Sequence, residues 1–229
     1  HAAPVAARHV PPQRQADLGT LWFSDAPAFV RSPLTAAVTG QLCGPADWAC
    51  DTLIVSNTWI RFAQEGGVAR VTNDALVTGS AGRLDVGGSS AFGLNSLAIV
   101  NAEAPTTLRV GGGLVLRDGG ALMVFSAPTN GSPESLGALV AVGGTLRVAS
   151  NSWIRPHAHP VNGGAPLFDV GHLLVEAGGG FNADGLGWSG STNACVGGFG
   201  PGGGEGTGPG GSPTTGKGAA GGYGGRGGG

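Results

Sequence analysis

The sequence predicts an all-β protein built as a right-handed parallel β-helix, and two observations support this fold class. Between residues 52 and 177, short alternating apolar triplets recur, and most are followed by paired glycines. They lie at 84–86, 108–110, 114–116, 140–142, 146–148 and 173–175. No segment of useful length shows the 3.6-residue apolar period of a helix. Triplets this short form a stable sheet only when each stacks on the one before it. A β-sandwich, the alternative, favours longer and more evenly spaced strands.

The composition describes a repetitive and weakly charged chain. Of its 229 residues, 47 are glycine and 11% are charged, whereas roughly 25% are charged in an ordinary globular domain. The net charge is -2 and no basic run is present, so nucleic acid is not expected as a partner. No apolar run is long enough to span a membrane, and no cofactor-binding motif appears, so neither a membrane span nor a cofactor is predicted. Because weakly charged surfaces repel one another little, self-association or sugar binding is favoured.

The chain begins with a segment that is rich in proline and alanine. Residues 1–20 contain Pro4, Pro11 and Pro12 without apolar periodicity, which predicts an extended arm. The first residues are typical of a chain from which a secretory signal has been removed. Residues 21–51 contain aromatic anchors and are predicted to cap the solenoid, because an open sheet end invites pairing with other chains.

Two cysteines within the predicted cap suggest a disulfide loop. Cys43 and Cys50 flank a short segment in which Gly44 and Pro45 favour a turn, so a bridge between them is sterically reasonable. The alternative is two free buried thiols. A bridge implies an oxidising compartment, which predicts an extracellular or cell-surface location. Cys195 is left without an assigned partner.

The predicted solenoid, residues 52–177, contains a longer internal repeat. Residues 52–61 resemble residues 145–155 with one insertion, and the match includes Trp59 and Trp153. One interpretation is two equivalent turns whose tryptophans plug the core or cap a coil. This interpretation is favoured because buried aromatic side chains contribute strongly to the stability of a core. The other interpretation is a carbohydrate platform formed by these two tryptophans together with Trp188.

Few residues of the predicted solenoid suggest a metal site or a catalytic site. His157 and His159 point the same way if they lie on a strand, which would let both imidazoles face one metal ion. Pro156 and Pro160 bracket them, however, which favours a surface loop. Charged residues near the triplets predict a solvated outward ladder and provide no carboxylate pair for glycosidase chemistry. They are Arg83, Asp85, Arg109, Arg117, Asp118 and Arg147. A non-enzymatic role is therefore favoured.

Glycine dominates residues 178–229, where the apolar alternation ends. Such a segment buries too little side chain to offset its backbone entropy alone. It is therefore predicted either to act as a flexible linker or to form extended strands against a neighbouring chain. In the second case the tail contacts other subunits, with Gly202, Gly203, Gly204 and Tyr223 as representative residues.

The C-terminal half resembles a known class of proteins. Strand-like repeats run into Ala-Asp-Gly-Leu-Gly at 183–187, followed by Gly-Pro-Gly-Gly-Gly at 200–204 and Gly-Gly-Tyr-Gly-Gly at 221–225. This order is similar to large secreted bacterial β-helix proteins, and the earlier repeats resemble autotransporter passenger domains. The resemblance covers about two-thirds of the chain. It implies an extracellular β-helix and transfers no catalytic residue.

Taken together, these features predict an extracellular structural protein that is a subunit of a self-assembling fibre or surface layer, with copies of itself as partners. Head-to-tail stacking of solenoid ends would give an open filament. The alternatives are a β-helix that binds or cleaves polysaccharide, and a surface adhesin.

Overall fold

The fold is that of a computed structural model. The described residues are 20–22, 34–36, 41–43, 47–62, 66–87, 104–128, 136–159 and 164–187. Every regular element within them is a β-strand, and every strand pairing is parallel. The prediction of an all-β protein with parallel sheets is therefore confirmed. Parallel pairing disagrees with a β-sandwich, whose sheets are antiparallel.

Sixteen strands occur in the part of the chain that the structure describes. In chain order they are β1 Thr20–Trp22, β2 Leu34–Ala36, β3 Gln41–Cys43, β4 Asp47–Cys50, β5 Leu53–Ser56, β6 Trp59–Phe62, β7 Val68–Val71, β8 Ala75–Thr78, β9 Arg83–Val86, β10 Thr106–Val110, β11 Leu114–Arg117, β12 Ala121–Phe125, β13 Ala138–Val148, β14 Trp153–His157, β15 Pro166–Val175 and β16 Gly180–Phe181.

The strands form three parallel ladders. Ladder 1 contains β4, β7, β10 and the first halves of β13 and β15, whereas ladder 2 contains β2, β5, β8, β11 and the second halves of β13 and β15. Ladder 3 contains β1, β3, β6, β9, β12, β14 and β16. From β4 onward the chain visits ladders 1, 2 and 3 in turn, and each such visit is called a rung.

The rungs differ in length although the ladders stay in register. In ladder 1, Asp47 pairs with Val68, and Val68 pairs with Thr107 after a much longer stretch of chain. The following steps, from Thr106 to Ala138 and from Ala138 to Pro166, are intermediate in length. The connections between strands therefore absorb the variation, which explains why the repeat is degenerate in sequence.

Alternation along each strand points one set of side chains into a common core. Apolar residues at both ends of the predicted triplets from 84–86 to 146–148 are inward and buried, as expected from the two-residue period. These residues from all three ladders form one hydrophobic cluster. Its fully buried members include Leu108 and Val140 in ladder 1, Leu53, Leu114 and Leu146 in ladder 2, and Ile60, Leu84, Leu122 and Ile154 in ladder 3.

Two predicted triplets belong to a single strand. β13 pairs with β10 through Ala138 to Val142 and with β11 through Leu146 to Val148. The corner at Gly143 and Gly144 therefore lies inside β13, and the pairing with β15 shifts register at this point. The sequence predicted two separate strands because paired glycines usually end one.

The paired glycines serve the corners in two different ways. The expected positive φ occurs at Gly87, Gly119 and Gly178. Gly111 and Gly143, between ladders 1 and 2, do not adopt it. A Cβ on Gly111 would lie 2.2 Å from the Thr72 carbonyl oxygen, so glycine is needed there for close backbone approach.

The corner between ladders 2 and 3 places at least one residue per rung in the left-handed region, and the rung of Asp118 also places Gly119 there. Asn57, Asp118 and Asn151 have φ values of 47°, 55° and 60°, and Gly79 and Gly178 hold equivalent places with φ values of 89° and 81°. Asparagine and aspartate tolerate this region better than other residues with a Cβ. These corners therefore explain the short polar residues that interrupt the apolar pattern.

The internal repeat corresponds to equivalent positions in the ladders. Leu53 and Leu146 share an inward column of ladder 2, and Trp59 and Trp153 share a column of ladder 3. The prediction that these tryptophans plug the core is wrong, because both alternate with the inward isoleucines and point outward.

Cys50 is a free buried thiol, so the predicted Cys43–Cys50 bridge is not formed in this structure. Cys50 lies at an inward position of ladder 1, paired with Val71, whereas Cys43 pairs with Arg61 in ladder 3. The two cysteines therefore belong to different ladders, which their closeness in sequence did not reveal. Within the described ranges, no helix is long and apolar enough to cross a lipid bilayer.

Candidate functional site

The outer face of ladder 3 holds three of the predicted site residues, Trp59, Trp153 and His157. Its first outward column contains Trp59, Arg83, Ala121 and Trp153 on successive rungs. The next outward column contains Arg61, Asp85, Met123 and Arg155, and His157 follows on β14. Strand alternation therefore brings aromatic and charged side chains onto one surface.

Asp85 is the centre of a tight polar cluster. Its Oδ1 accepts a hydrogen bond from Arg83 Nε at 2.6 Å. Its Oδ2 accepts hydrogen bonds from Arg83 Nη2 and Trp59 Nε1, each at 2.8 Å. The Arg83 guanidinium also lies over the Trp59 ring, 4.3 Å from its centroid. Because Trp59 and Arg83 are paired across β6 and β9, the cluster ties two rungs together.

The environment of Asp85 is that of a structural carboxylate. Burial raises its pKa, while the hydrogen bonds and charge of Arg83 and the hydrogen bond from Trp59 act in the opposite direction. Both carboxylate oxygens are occupied, and the residue is 0% exposed. It therefore offers no open position to a reacting group. The predicted solvated ladder is wrong at Asp85, although Arg109, Arg117, Asp118 and Arg147 are exposed as expected.

His157 lies against an aromatic ring and not within a set of ligands. Its imidazole stacks on Phe125, with ring centroids 4.2 Å apart, and its buried Nε2 has no hydrogen-bond partner among the described residues. Burial, helped by the charges of Arg83 and Arg155, lowers the pKa of His157 to about 4, so the ring is neutral at pH 7. Burial also lowers the pKa of His159. No group of three or more His, Cys, Asp or Glu side chains suited to a metal occurs among the described residues.

The two repeated tryptophans differ in what they offer to a ligand. Trp59 donates a hydrogen bond to Asp85, and the Arg83 guanidinium lies over its ring. Trp153 is 36% exposed, and its six-membered ring lies beside Gly180, where an added Cβ would be 3.5 Å from Cζ3. Three rung steps of roughly 4.8 Å put the two rings about 14 Å apart along the ladder. Trp188, the third predicted platform residue, lies outside the described residues.

The last described rung exposes a layer of apolar side chains that the sequence did not mark as a site. Leu173, Val175 and Phe181 are 53%, 42% and 40% exposed, although their partners on the preceding rung, Leu146, Val148 and Ile154, are each 0% exposed. The apolar triplet Leu-Leu-Val at 173–175 was visible in the sequence. Its exposure was not, because it depends on which rung is the last one described.

An apolar groove borders this layer between ladders 3 and 1. It has a volume of about 550 Å³, and Phe168 and Phe181 meet edge to face in it at 5.3 Å. Its lining also includes Pro156, Ala158, Pro166 and Gly187. The predicted assembly residues Gly202, Gly203, Gly204 and Tyr223 lie outside the described part of the chain.

Comparisons with known proteins identify no relative. No protein-family model matches the sequence, no curated protein matches it, and no solved structure matches it.

Proposed function

We propose that this chain is an extracellular structural protein whose three ladders close into one right-handed parallel β-helix, and that copies of it assemble end to end. The observation that carries this proposal is the apolar layer of the last rung. Leu173, Val175 and Phe181 occupy core columns, yet each is at least 40% exposed. Such an exposed layer is typical of a surface that another protein covers.

The order of the strands supports the β-helix. Each rung from β4 onward visits the ladders in the same sequence, and inward residues of all three share one hydrophobic cluster. A connection between parallel strands of one sheet is right-handed in about 98% of cases. The same hand in every rung gives a right-handed coil.

End-to-end contact follows from the free strand edges. Among the described strands, β16 pairs only with β14, and β15 pairs only with β13. The outer edges of β16 and of the ladder 2 half of β15 have no partner among the described strands and lie beside the apolar layer, and such edges are a template for strands of another chain. Contact between this end of one copy and the opposite end of the next would be head to tail, and its repetition would extend into a filament.

The test is a charge placed in the layer. Leu173→Lys should abolish assembly, because an ammonium group would be desolvated in each contact. The matched control is Leu139→Lys, the same change at a half-buried outward position in the middle of ladder 1. Analytical ultracentrifugation and electron micrographs should show polymers for the parent protein and the control, and monomers for Leu173→Lys.

Two results would contradict the proposal. One is a parent protein that remains monomeric at high micromolar concentration. The other is a Leu173→Lys protein that polymerises as the control does. Circular dichroism of both variants verifies that the strands are retained, so a lost polymer is not confused with a lost fold.

Carbohydrate binding is a second candidate, which the exposure of Trp153 favours. An open indole face beside small residues is suited to stacking against a sugar ring, and Arg155, also exposed, lies two residues further along β14. Trp153→Ala should then weaken retardation in polysaccharide-containing gels at least tenfold, whereas His172→Ala should not. Equal mobility of the parent protein with and without each polysaccharide tested would rule against this candidate.

A further inference from the structure

We propose that residues 194–199 of this chain add one further strand to ladder 1, on the open edge of β15 and over Phe168 and Val170. This inference concerns ladder 1 alone and does not depend on end-to-end assembly. Leu173 and Val175, in ladder 2, remain available to a second copy.

The edge of β15 has the features of an unfinished strand pair. Phe168 and Val170 pair with Val140 and Val142 in the inward columns of ladder 1. Those partners are 0% and 2% exposed, whereas Phe168 and Val170 pack against the core only in part. Among the described strands, nothing pairs with the other edge of this half of β15. A further strand would bury the remaining apolar surface at roughly 25 cal/mol per Å².

The sequence repeats the motif of ladder 1 at the required place. Val110, Val142 and Val170 are register partners in one column of ladder 1, and each is followed by glycine. Val196 is followed by two glycines, as Val110 and Val142 are. The stretch of chain from Val170 to Val196 is also nearly as long as that from Val142 to Val170. Val196 therefore continues the column.

The visiting order of the ladders selects ladder 1 for this strand. Val-Gly-Gly also occurs at 86–88, at the end of β9 in ladder 3, so the motif alone does not identify the ladder. From β4 onward, however, each described strand of ladder 3 that has a described successor is followed by a strand of ladder 1. Because β16 lies in ladder 3, the next strand is expected in ladder 1.

The described chain ends beside the proposed position. Gly187 lines the apolar groove together with Pro166 and Phe168, which begin the ladder 1 half of β15. The Leu186 carbonyl oxygen accepts a hydrogen bond from the Ala158 amide at 2.8 Å, which holds the chain at this point. Residues 182–193 separate β16 from the proposed strand, and the connection from β12 to β13, residues 126–137, has the same length. The span is therefore sufficient.

The glycines of the motif also suit the position. An added Cβ on Gly171 would lie 2.6 Å from the Gly143 carbonyl oxygen, and one on Gly143 would lie 2.5 Å from the Gly111 carbonyl oxygen. Successive rungs thus touch through glycine backbones at this corner. In the proposed register Gly197 stacks on Gly171, so the column of glycines continues without a side chain that would separate the rungs.

The test uses the native thiol of Cys195. In the proposed register Cys195 neighbours Asp169, an exposed outward residue of β15. Adjacent strands lie roughly 4.8 Å apart, which is within the usual Cα separation of a disulfide. Asp169→Cys should therefore form an intrachain disulfide with Cys195 under mild oxidation at low protein concentration, and peptide mapping should identify the link. Leu174→Cys, an equally outward residue in the ladder 2 half of β15, should not form one.

A second pair of variants tests the same strand without new cysteines. Val196→Asp should expose the apolar groove, with a rise in hydrophobic-dye fluorescence and a lower melting temperature, whereas Ala219→Asp should change neither. The proposal is overturned if the Asp169→Cys protein links only between chains, which would indicate a second copy as the occupant, or if it remains unlinked. It is also overturned if Val196→Asp behaves as the control does. The Leu173→Lys assembly experiment is independent of all these outcomes.

Discussion

The residues around His157 shift the pKa of its side chain strongly. Its ring lies on Phe125, and burial with the charges of Arg83 and Arg155 lowers its pKa from 6.5 to about 4. Between these pH values the unfolded chain binds a proton that the folded chain does not. The free energy of unfolding therefore falls as the pH is lowered through this window.

Replacement of His157 should remove this part of the pH dependence. His157→Phe keeps an aromatic ring against Phe125 and loses the titrating group, so its stability should change less between pH 6.5 and about 4 than that of the parent. Melting temperatures measured at half-unit pH steps check this. His172→Gln, at an exposed position of β15, should keep the parent's dependence. Parallel curves for His157→Phe and the parent would contradict the prediction.

For Asp85, the sequence predicts the direction of the side chain but not its burial or its hydrogen-bond partners. Alternation correctly predicts that Asp85 points away from the core between Leu84 and Val86. Its complete burial and its bonds to Trp59 and Arg83 depend on the residue that each rung places next to it. That register is set by connections of variable length, so the sequence alone led to a solvated interpretation.

At the scale of elements, the glycine corners provide a matched comparison of backbone strain and steric space. Gly87 and Gly178 share a φ of +81°. A Cβ on Gly87 would lie 2.4 Å from the Phe125 carbonyl oxygen, whereas one on Gly178 would meet nothing within 4 Å. The two sites therefore share the cost of the left-handed conformation and differ in the clash.

Alanine at these two sites should separate the two costs. Gly178→Ala should lower the free energy of unfolding by about 1–2 kcal/mol, the strain alone. Gly87→Ala should lose at least twice as much, because β9 and β12 would have to separate locally. Urea unfolding followed by tryptophan fluorescence measures both. Equal losses would show that Phe125 moves aside freely.

The strands were predictable and the corners only in part. The triplets at 84–86, 108–110, 114–116 and 146–148 all lie in strands with their ends inward. Period-two alternation is local information, so the sequence contains it. The roles of Gly111 and Gly143 are not local, because the atoms they avoid belong to other rungs.

At the scale of the whole molecule, the core should be most sensitive at mid-stack and least sensitive at the exposed rung. Leu122 is 0% exposed between Leu84 and Ile154, whereas Phe181 is 40% exposed. Leu122→Ala leaves a cavity closed on both sides and should cost about 2–5 kcal/mol. Phe181→Ala should cost about 1–2 kcal/mol in the monomer. Unfolding in urea at low concentration checks both values, and equal losses would contradict this gradient.

The proposed assembly surface could not be predicted from composition. Low charge suggested self-association, yet the residues that carry the proposal are Leu173, Val175 and Phe181, which resemble the buried residues of every other rung. Only their place at the end of the described stack distinguishes them.

The variable rung length has a consequence for the dimensions of the molecule. The short step from Asp47 to Val68 and the long step from Val68 to Thr107 both advance ladder 1 by one strand spacing, roughly 4.8 Å. The length of such a stack depends on the number of rungs and not on the number of residues. Tandem duplication of residues 106–137 should therefore lengthen the particle by one increment and leave its cross-section unchanged.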